Sequence, residues 1–271
     1  MHKPHVLVGE EPTPRYMLVP GDPGRVPRIG ANWEHYEEIS FNREFRYARG
    51  SFEGVELGAC STGIGAPSTE IAVMELAAAG TETFIRVGQC GAVQPDIAIG
   101  TLVIQEGAVR LVGSVNAYCE PEYPAIANRE VTFALIEACE QLGYEYAVGL
   151  TASTDSFFAG QDNATPVPLV LPAKVPFAEK MRSYGVKTFE MEAAALFILG
   201  TLLGRRCGSI CSVESNRATG ERRKVPEAIE NAIRAANRAI AILHGWDALR
   251  SASGRTYLSP SLLSGMLAPE D

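Results

Sequence analysis

The sequence predicts one α/β domain of the α/β/α type, with a sheet buried between helical layers. Three observations carry that expectation. Short β-rich runs alternate with Ala-rich helical stretches along the chain. A chain of 271 residues, 46% hydrophobic and 21% charged, can fill a full core. No internal repeat or linker-like stretch divides it.

Residues 16–19 read as the first strand, ended by the turn Pro20-Gly21-Asp22-Pro23-Gly24. Residues 55–60 read as a strand running into Gly63-Ile64-Gly65-Ala66-Pro67-Ser68. Pro67 suits the first turn of a helix through Ala79, because the N–H it lacks is free there anyway. Residues 83–87 form the next expected strand, followed by Gly88 and Gly91; strands at 101–104 and 146–150 flank a helix at 131–142. A buried helix at 192–203, a strand at 207–213 and a long amphipathic helix at 225–243 complete the alternation. Residues 165–176, rich in proline, read as a surface loop or flap. The domain is expected over residues 1–245, with 246–271 a poorly ordered extension, rich in Ser, Gly and Pro from Ser251.

Composition excludes several classes. The balance of 24 Lys+Arg against 32 Asp+Glu gives a net charge of -8, which argues against a large nucleic-acid surface. A small anion is still accommodated, since a few arginines suffice to line one pocket. None of the six cysteines forms a C-x-x-C pair, so they read as reduced, mostly buried thiols. The N-terminal residues do not resemble a secretory signal, and the longest apolar run, 193–204, is too short to span a bilayer. The expected location is the cytoplasm.

Arg86 is the most informative residue. It interrupts the apolar run Phe84-Ile85-Arg86-Val87, where a guanidinium is costly unless paired. It reads either as a structural arginine against a buried carboxylate or, at the end of a strand, as a ligand-binding group. Arg25 follows the Gly21–Gly24 turn, whose backbone N–H groups suit a phosphate, and so favours the second reading. Arg43 alone reads as a surface residue. The Gly63-Ile64-Gly65 loop lacks the final glycine of a dinucleotide fingerprint, Ser68 standing there. Glu190 and Glu192 stand at the start of a hydrophobic helix, either as partners of its positive dipole end or as acceptors for a sugar cis-diol. Met191 between them can pack on a sugar or base.

Taken together, these segments resemble the nucleoside phosphorylase family, its uridine phosphorylase branch most closely. The matching pieces are residues 19–26, Arg43-Glu44-Phe45, residues 60–69, residues 86–95, Asp155-Ser156-Phe157-Phe158-Ala159-Gly160-Gln161 and Phe189-Glu190-Met191-Glu192, in order from about His5 to the end of the helix at 225–243. The resemblance implies a central mixed, partly barrel-like sheet. It implies that Gly21, Arg25 and Arg86 bind phosphate, that Arg43 reaches the phosphate of a neighbouring subunit, and that Gln89 stands at a phosphate contact. It implies that Glu192 and Met191 hold ribose, with His5 supplied by the neighbour, and that Gly91, Phe157, Gln161, Asn163, Glu214 and Arg217 surround the base. Arg86, Glu192 and Gln161 would carry catalysis. Glu44, Ile64 and Ser68 match a monovalent-cation site between subunits, so K+ is a possible ion at that interface. No cofactor is required; inorganic phosphate is the co-substrate. The likeness further implies a homohexamer built as a trimer of dimers, with the active site shared across the dimer, and no nucleic-acid or membrane partner.

The chain departs from that pattern at two places. A threonine of the uridine enzymes is here Gln89, and the arginine two residues beyond the base-reading glutamine is here Asn163. The purine branch's aspartate is replaced by Ser215, next to Glu214. The expected activity is phosphorolysis of uridine or a related pyrimidine nucleoside to free base and ribose 1-phosphate. The alternatives are a purine nucleoside phosphorylase using Glu214 as general acid, a nucleosidase, which would have no use for the arginines, and a non-catalytic nucleoside-binding protein.

Overall fold

The computed structural model describes residues 4–169 and 176–264. In chain order the elements are β1 (Tyr16–Pro20), α1 (Arg25–Gly30), β2 (His35–Asn42), β3 (Phe45–Phe52), β4 (Val55–Cys60), α2 (Ala66–Ala79), β5 (Thr83–Ala92), β6 (Leu102–Leu111), β7 (Ala125–Ile126), α3 (Arg129–Leu142), β8 (Tyr146–Thr154), α4 (Phe177–Ser183), β9 (Thr188–Glu190), α5 (Ala193–Leu202), β10 (Arg206–Asn216), α6 (Pro226–Ser253) and α7 (Pro260–Ser264).

The sheet is mixed and partly closed, as expected. β5 pairs with β10, β10 with β6, β6 with β8, β8 with β9, and β9 returns to β5, which makes a five-stranded ring. From β5 an open arm extends through β1, β4, β3 and β2. β1, β4, β5 and β10 run parallel, so their carboxyl ends open on the same side.

Side chains alternate between two cores, as the two-residue period of a strand requires. Tyr16 and Leu18 of β1 pack with α3 and α6, whereas Met17 and Val19 pack with α2 and α5. On β5, Ile85 and Val87 join the first core and Phe84 the second; Arg86 therefore points to the face of Phe84. α5 is buried on all sides from Ala193 to Gly200, which accounts for its unbroken apolar sequence. α3 is set by its ends: the Asn128 side chain accepts from the N–H groups of Glu130 and Val131, and Gly143 closes the helix in the left-handed region at φ 68.

The structure extends several expected elements. β5 does not end at Val87 but runs to Ala92, pairing with β10 along its length. Gly88 is there for close approach, since a Cβ on it would lie 2.7 Å from Cys211 Sγ and 2.8 Å from Arg86 Nη2. The β2–β3 hairpin was not predicted, because β2 is mostly exposed or half-buried and has no apolar run to betray it. α6 continues past position 243 to Ser253, so the expected division at 245 falls within it. Asp247 explains the continuation: it is buried, takes both Nη groups of Arg206 at 2.8 and 2.7 Å, and accepts from Tyr16 at 2.7 Å. Of the expected flap and tail, residues 170–175 and 265–271 lie outside the described residues. All six cysteines are free thiols, five of them buried.

Candidate active site

A cavity of about 1000 Å³ opens at the carboxyl ends of the parallel strands, where α/β sheets hold ligands. Gly21 and Arg25 border it after β1, Gly63, Ile64 and Ser68 after β4, and Arg86, Gln89 and Gly91 along β5. Phe157 and Gln161 enter after β8, Met191 and Glu192 after β9, and Glu214 and Arg217 from the end of β10.

Two guanidinium groups meet at one end. Arg25 is 5% exposed and donates from Nη1 to the Val87 carbonyl and from Nη2 to Gln89 Oε1, both at 2.9 Å. Both acceptors are neutral, and its Nε has no partner among the described residues. Burial, and then the charge of Arg86, push its pKa below the ordinary arginine value. Arg86 lies 3.2 Å from Glu190 through Nε and 2.5 Å from Glu192 through Nη2. Burial opposes its charge, but Glu192, Cys211 and Glu190 outweigh burial and hold its pKa above the ordinary value. Its Nη1 faces Gly21, where a Cβ would sit 3.8 Å from it and 3.1 Å from the Gly63 carbonyl. Two fixed cations with a glycine between them have the charge and the clearance to accept an oxyanion.

The two glutamates divide the roles left open by the sequence. Glu190 Oε2 accepts from the N–H groups of Glu192 and Ala193, both at 2.8 Å, and its Oε1 accepts from Ser153. It anchors the start of α5 and braces Arg86. Glu192 accepts from the Gly65 N–H at 2.6 Å and borders the cavity. Gly65 sits at φ 92, a conformation that L side chains rarely adopt, so the glycine loop serves to present this N–H. Burial pushes the Glu192 carboxyl up from its usual range, with Arg86 pulling against it.

At the other end, Gln161 donates to Thr154 Oγ1 at 3.0 Å, while its Oε1 makes no hydrogen bond among the described residues. That leaves an acceptor for a base N–H, with the amide orientation following from the bond to Thr154. Arg217 donates to the Gln161 carbonyl at 3.0 Å and to Ser215 Oγ at 2.6 Å. A Cβ on Gly91 would come within 3.3 Å of both Arg217 terminal nitrogens, so glycine is what lets the guanidinium close over β5. Phe157 packs edge-to-face on Phe158, ring centroids 5.3 Å apart. Glu214 accepts from Gln89.

Three expected residues stand elsewhere. Arg43 is exposed at the β2–β3 turn, with φ 55. His5 is paired through Nδ1 with Glu75 Oε1 at 2.7 Å. Asn163 lines a neighbouring hollow and is held by the Phe157 carbonyl and Arg222. The cavity also takes in Ser215, at the position of the purine branch's aspartate, and Asp22 and the run Arg222-Arg223-Lys224, which no motif in the sequence places there. The only signal for that run was three consecutive cations in an acidic chain. Glu44 and Ser68 are bonded at 2.9 Å beside the exposed Ile64. Among the described residues no cluster of three His, Cys, Asp or Glu side chains suits a metal ion.

The family description "Phosphorylase superfamily" matches residues 15–245. The chain belongs to the phosphorylase superfamily. Among its relatives, the uridine phosphorylase of Thermococcus kodakarensis is 45% identical over 95% of this chain and 92% of that protein. The guanosine phosphorylase of Halorubrum lacusprofundi is 35% identical over 89% and 99%. The uridine phosphorylase of Escherichia coli is 40% identical over 75% and 81%. No helix of the described residues in this superfamily member is long and apolar enough to cross a membrane.

Proposed function

We propose that the protein is a nucleoside phosphorylase that cleaves uridine or a related pyrimidine nucleoside with inorganic phosphate. The observation that carries this reading is the placement of Arg25 and Arg86 in one cavity with Glu192 and the open acceptor of Gln161. Phosphate sits between the guanidiniums and Gly21, with Glu192 beside it to accept from the ribose hydroxyls. A phosphate oxygen bonds to the anomeric carbon as the bond from that carbon to the base nitrogen breaks; the electron pair leaves with the base, which then takes up a proton. The chain's residues contribute placement of the dianion, orientation of the base by the Gln161 acceptor and stabilisation of the departing base by the Arg217 guanidinium, with no protein nucleophile.

Arg43 and His5 complete the site from a neighbouring subunit in this reading, which implies at least a dimer and, by likeness, a hexamer of three such pairs. Glu44, Ser68 and the backbone of Ile64 supply oxygen donors of the kind K+ takes, too few in one chain to enclose it. No cofactor takes part, and the cytoplasm is the expected location. The domain is proposed to take in α6 at least as far as Asp247, whose carboxylate is held by Arg206 and Tyr16, with the extension beginning beyond it.

A second reading, phosphorolysis of guanosine or another purine nucleoside, is favoured by Glu214, a carboxylate at the base end able to meet purine N–H groups. Incubation with uridine, thymidine, inosine, guanosine and adenosine, with and without phosphate, tests both. Phosphate-dependent release of uracil is the expected result. Release at equal rate without phosphate shows hydrolysis and overturns the reading; release of purines alone moves it to the second.

A further inference from the structure

A continuous chain of hydrogen bonds crosses the cavity from its anion end to its base end. Arg25 Nη2 donates to Gln89 Oε1 at 2.9 Å, and Gln89 Nε2 donates to Glu214 Oε1. Gln89 is half-buried on β5 and pairs with Ser212 of β10; Glu214, also half-buried, stands at a bulge in β10 between the paired residues Val213 and Ser215, so the strands that carry them are fixed relative to one another. The bond from Arg25 to a neutral amide oxygen is the weak point. A phosphate dianion offers the same guanidinium an acceptor that is itself charged, so the bond is charged on both sides, whereas the amide oxygen leaves it charged on the donor side alone. The carbonyl dipole of Gln89 also points its negative end at the place the dianion must occupy.

We propose that Gln89 couples the two halves of the site: phosphate displaces its carbonyl from Arg25, the amide turns, and Glu214 is released to accept an N–H of the base. Without phosphate, the amide caps the arginine and occupies the carboxylate. With phosphate, Glu214 becomes an unpaired acceptor beside Gln161 and Arg217. Phosphate and base therefore bind with positive cooperativity, and bases that present an N–H to Glu214 gain most. Gln89 acts here as a positioning residue, through Arg25 and Glu214.

Free base and inorganic phosphate together give a non-reacting ternary complex, so the coupling is measurable at equilibrium. The experiment is calorimetric titration of the intact protein with the base released from its best substrate, at zero and at saturating phosphate. Couplings of this kind commonly run from about 5-fold to about 150-fold, and phosphate is expected to tighten base binding at least about fivefold. In Gln89→Ala the ratio should fall to about one, because base binds without phosphate as tightly as it binds the wild type with phosphate. In Glu214→Ala base binding should be weak and indifferent to phosphate. A merely structural role for Gln89 would weaken both ligands and leave the ratio unchanged. The inference rests on phosphate being the dianion of the phosphorolytic reading. Failure of the wild type to bind phosphate overturns both, whereas an equal ratio in wild type and Gln89→Ala overturns the coupling alone.

Discussion

Replacing Arg86 tests both the architecture and the chemistry. Its side chain is 6% exposed and sits against Glu190 and Glu192, whose side chains are 0% and 6% exposed. Arg86→Ala leaves two carboxylates buried without their cation, and breaking a buried pair in this way costs about 3–5 kcal/mol of stability. Arg86→Lys keeps the charge but has one ammonium for contacts that now run from Nε to Glu190 and from Nη2 to Glu192. Losing one charge-assisted bond of about 1.5–3 kcal/mol corresponds to roughly a 10- to 150-fold loss in kcat/KM. The alanine variant, which loses the phosphate contact as well, should fall by at least ~100-fold. Urea unfolding measures the first effect. Phosphate-dependent base release, followed by absorbance at denaturant-free conditions where circular dichroism shows the variant folded, measures the second. Folded Arg86→Ala with wild-type kcat/KM would refute the assignment of the anion site.

Further outcomes are expected elsewhere. Gly88→Ala drives a methyl group to 2.7 Å from Cys211 Sγ and 2.8 Å from Arg86 Nη2, and should cost about 1–3 kcal/mol in urea unfolding while raising the KM for phosphate. Gln161→Leu removes the open acceptor at similar volume, and kcat/KM for the preferred nucleoside should drop up to about tenfold for a lost neutral bond, read from initial rates. Asp247 is pushed up by burial, but hydrogen bonds from Arg206 and Tyr16 prevail and hold its pKa below the ordinary value. A lowered folded-state value means its contribution is present above the unfolded pKa, about 3.9, and is lost as pH falls through the folded one. Asp247→Asn should therefore lower stability at neutral pH and flatten the acid limb of a stability-versus-pH curve measured by urea unfolding.

The alternation of runs was enough to read the α/β class, and the buried strands betrayed themselves because both faces of β1 and β5 meet apolar cores. Partial burial hides β2, which carries no apolar run; β5, buried almost throughout, is longer than its sequence suggests because Gly88 and Gly91 look like turn residues when they are clearances for Arg86 and Arg217. The candidate site was legible at Arg86 and Glu192, where a charge interrupts an apolar context, and at Arg25, which follows a glycine turn after a strand. Glu190 and Glu192 could not be told apart, since their difference lies in which backbone N–H each meets. Arg222 to Lys224 gave no more signal than any solvated run, because only the fold of the segment after β10 brings them to the cavity.

Glu190 has an implication for how this scaffold is free to change. One carboxylate ties down the first turn of a wholly buried helix and steadies the arginine at the anion end. A substitution there is penalised as a folding defect before any gain in chemistry is felt. At the base end, Asn163 and Arg222 bond to one another and Asn163 to local backbone, on half-buried or exposed positions. The rigid and the permissive halves of the pocket are thus built into its mechanics: side chains can be exchanged at one wall while the paired arginine at the other stays locked to the interior.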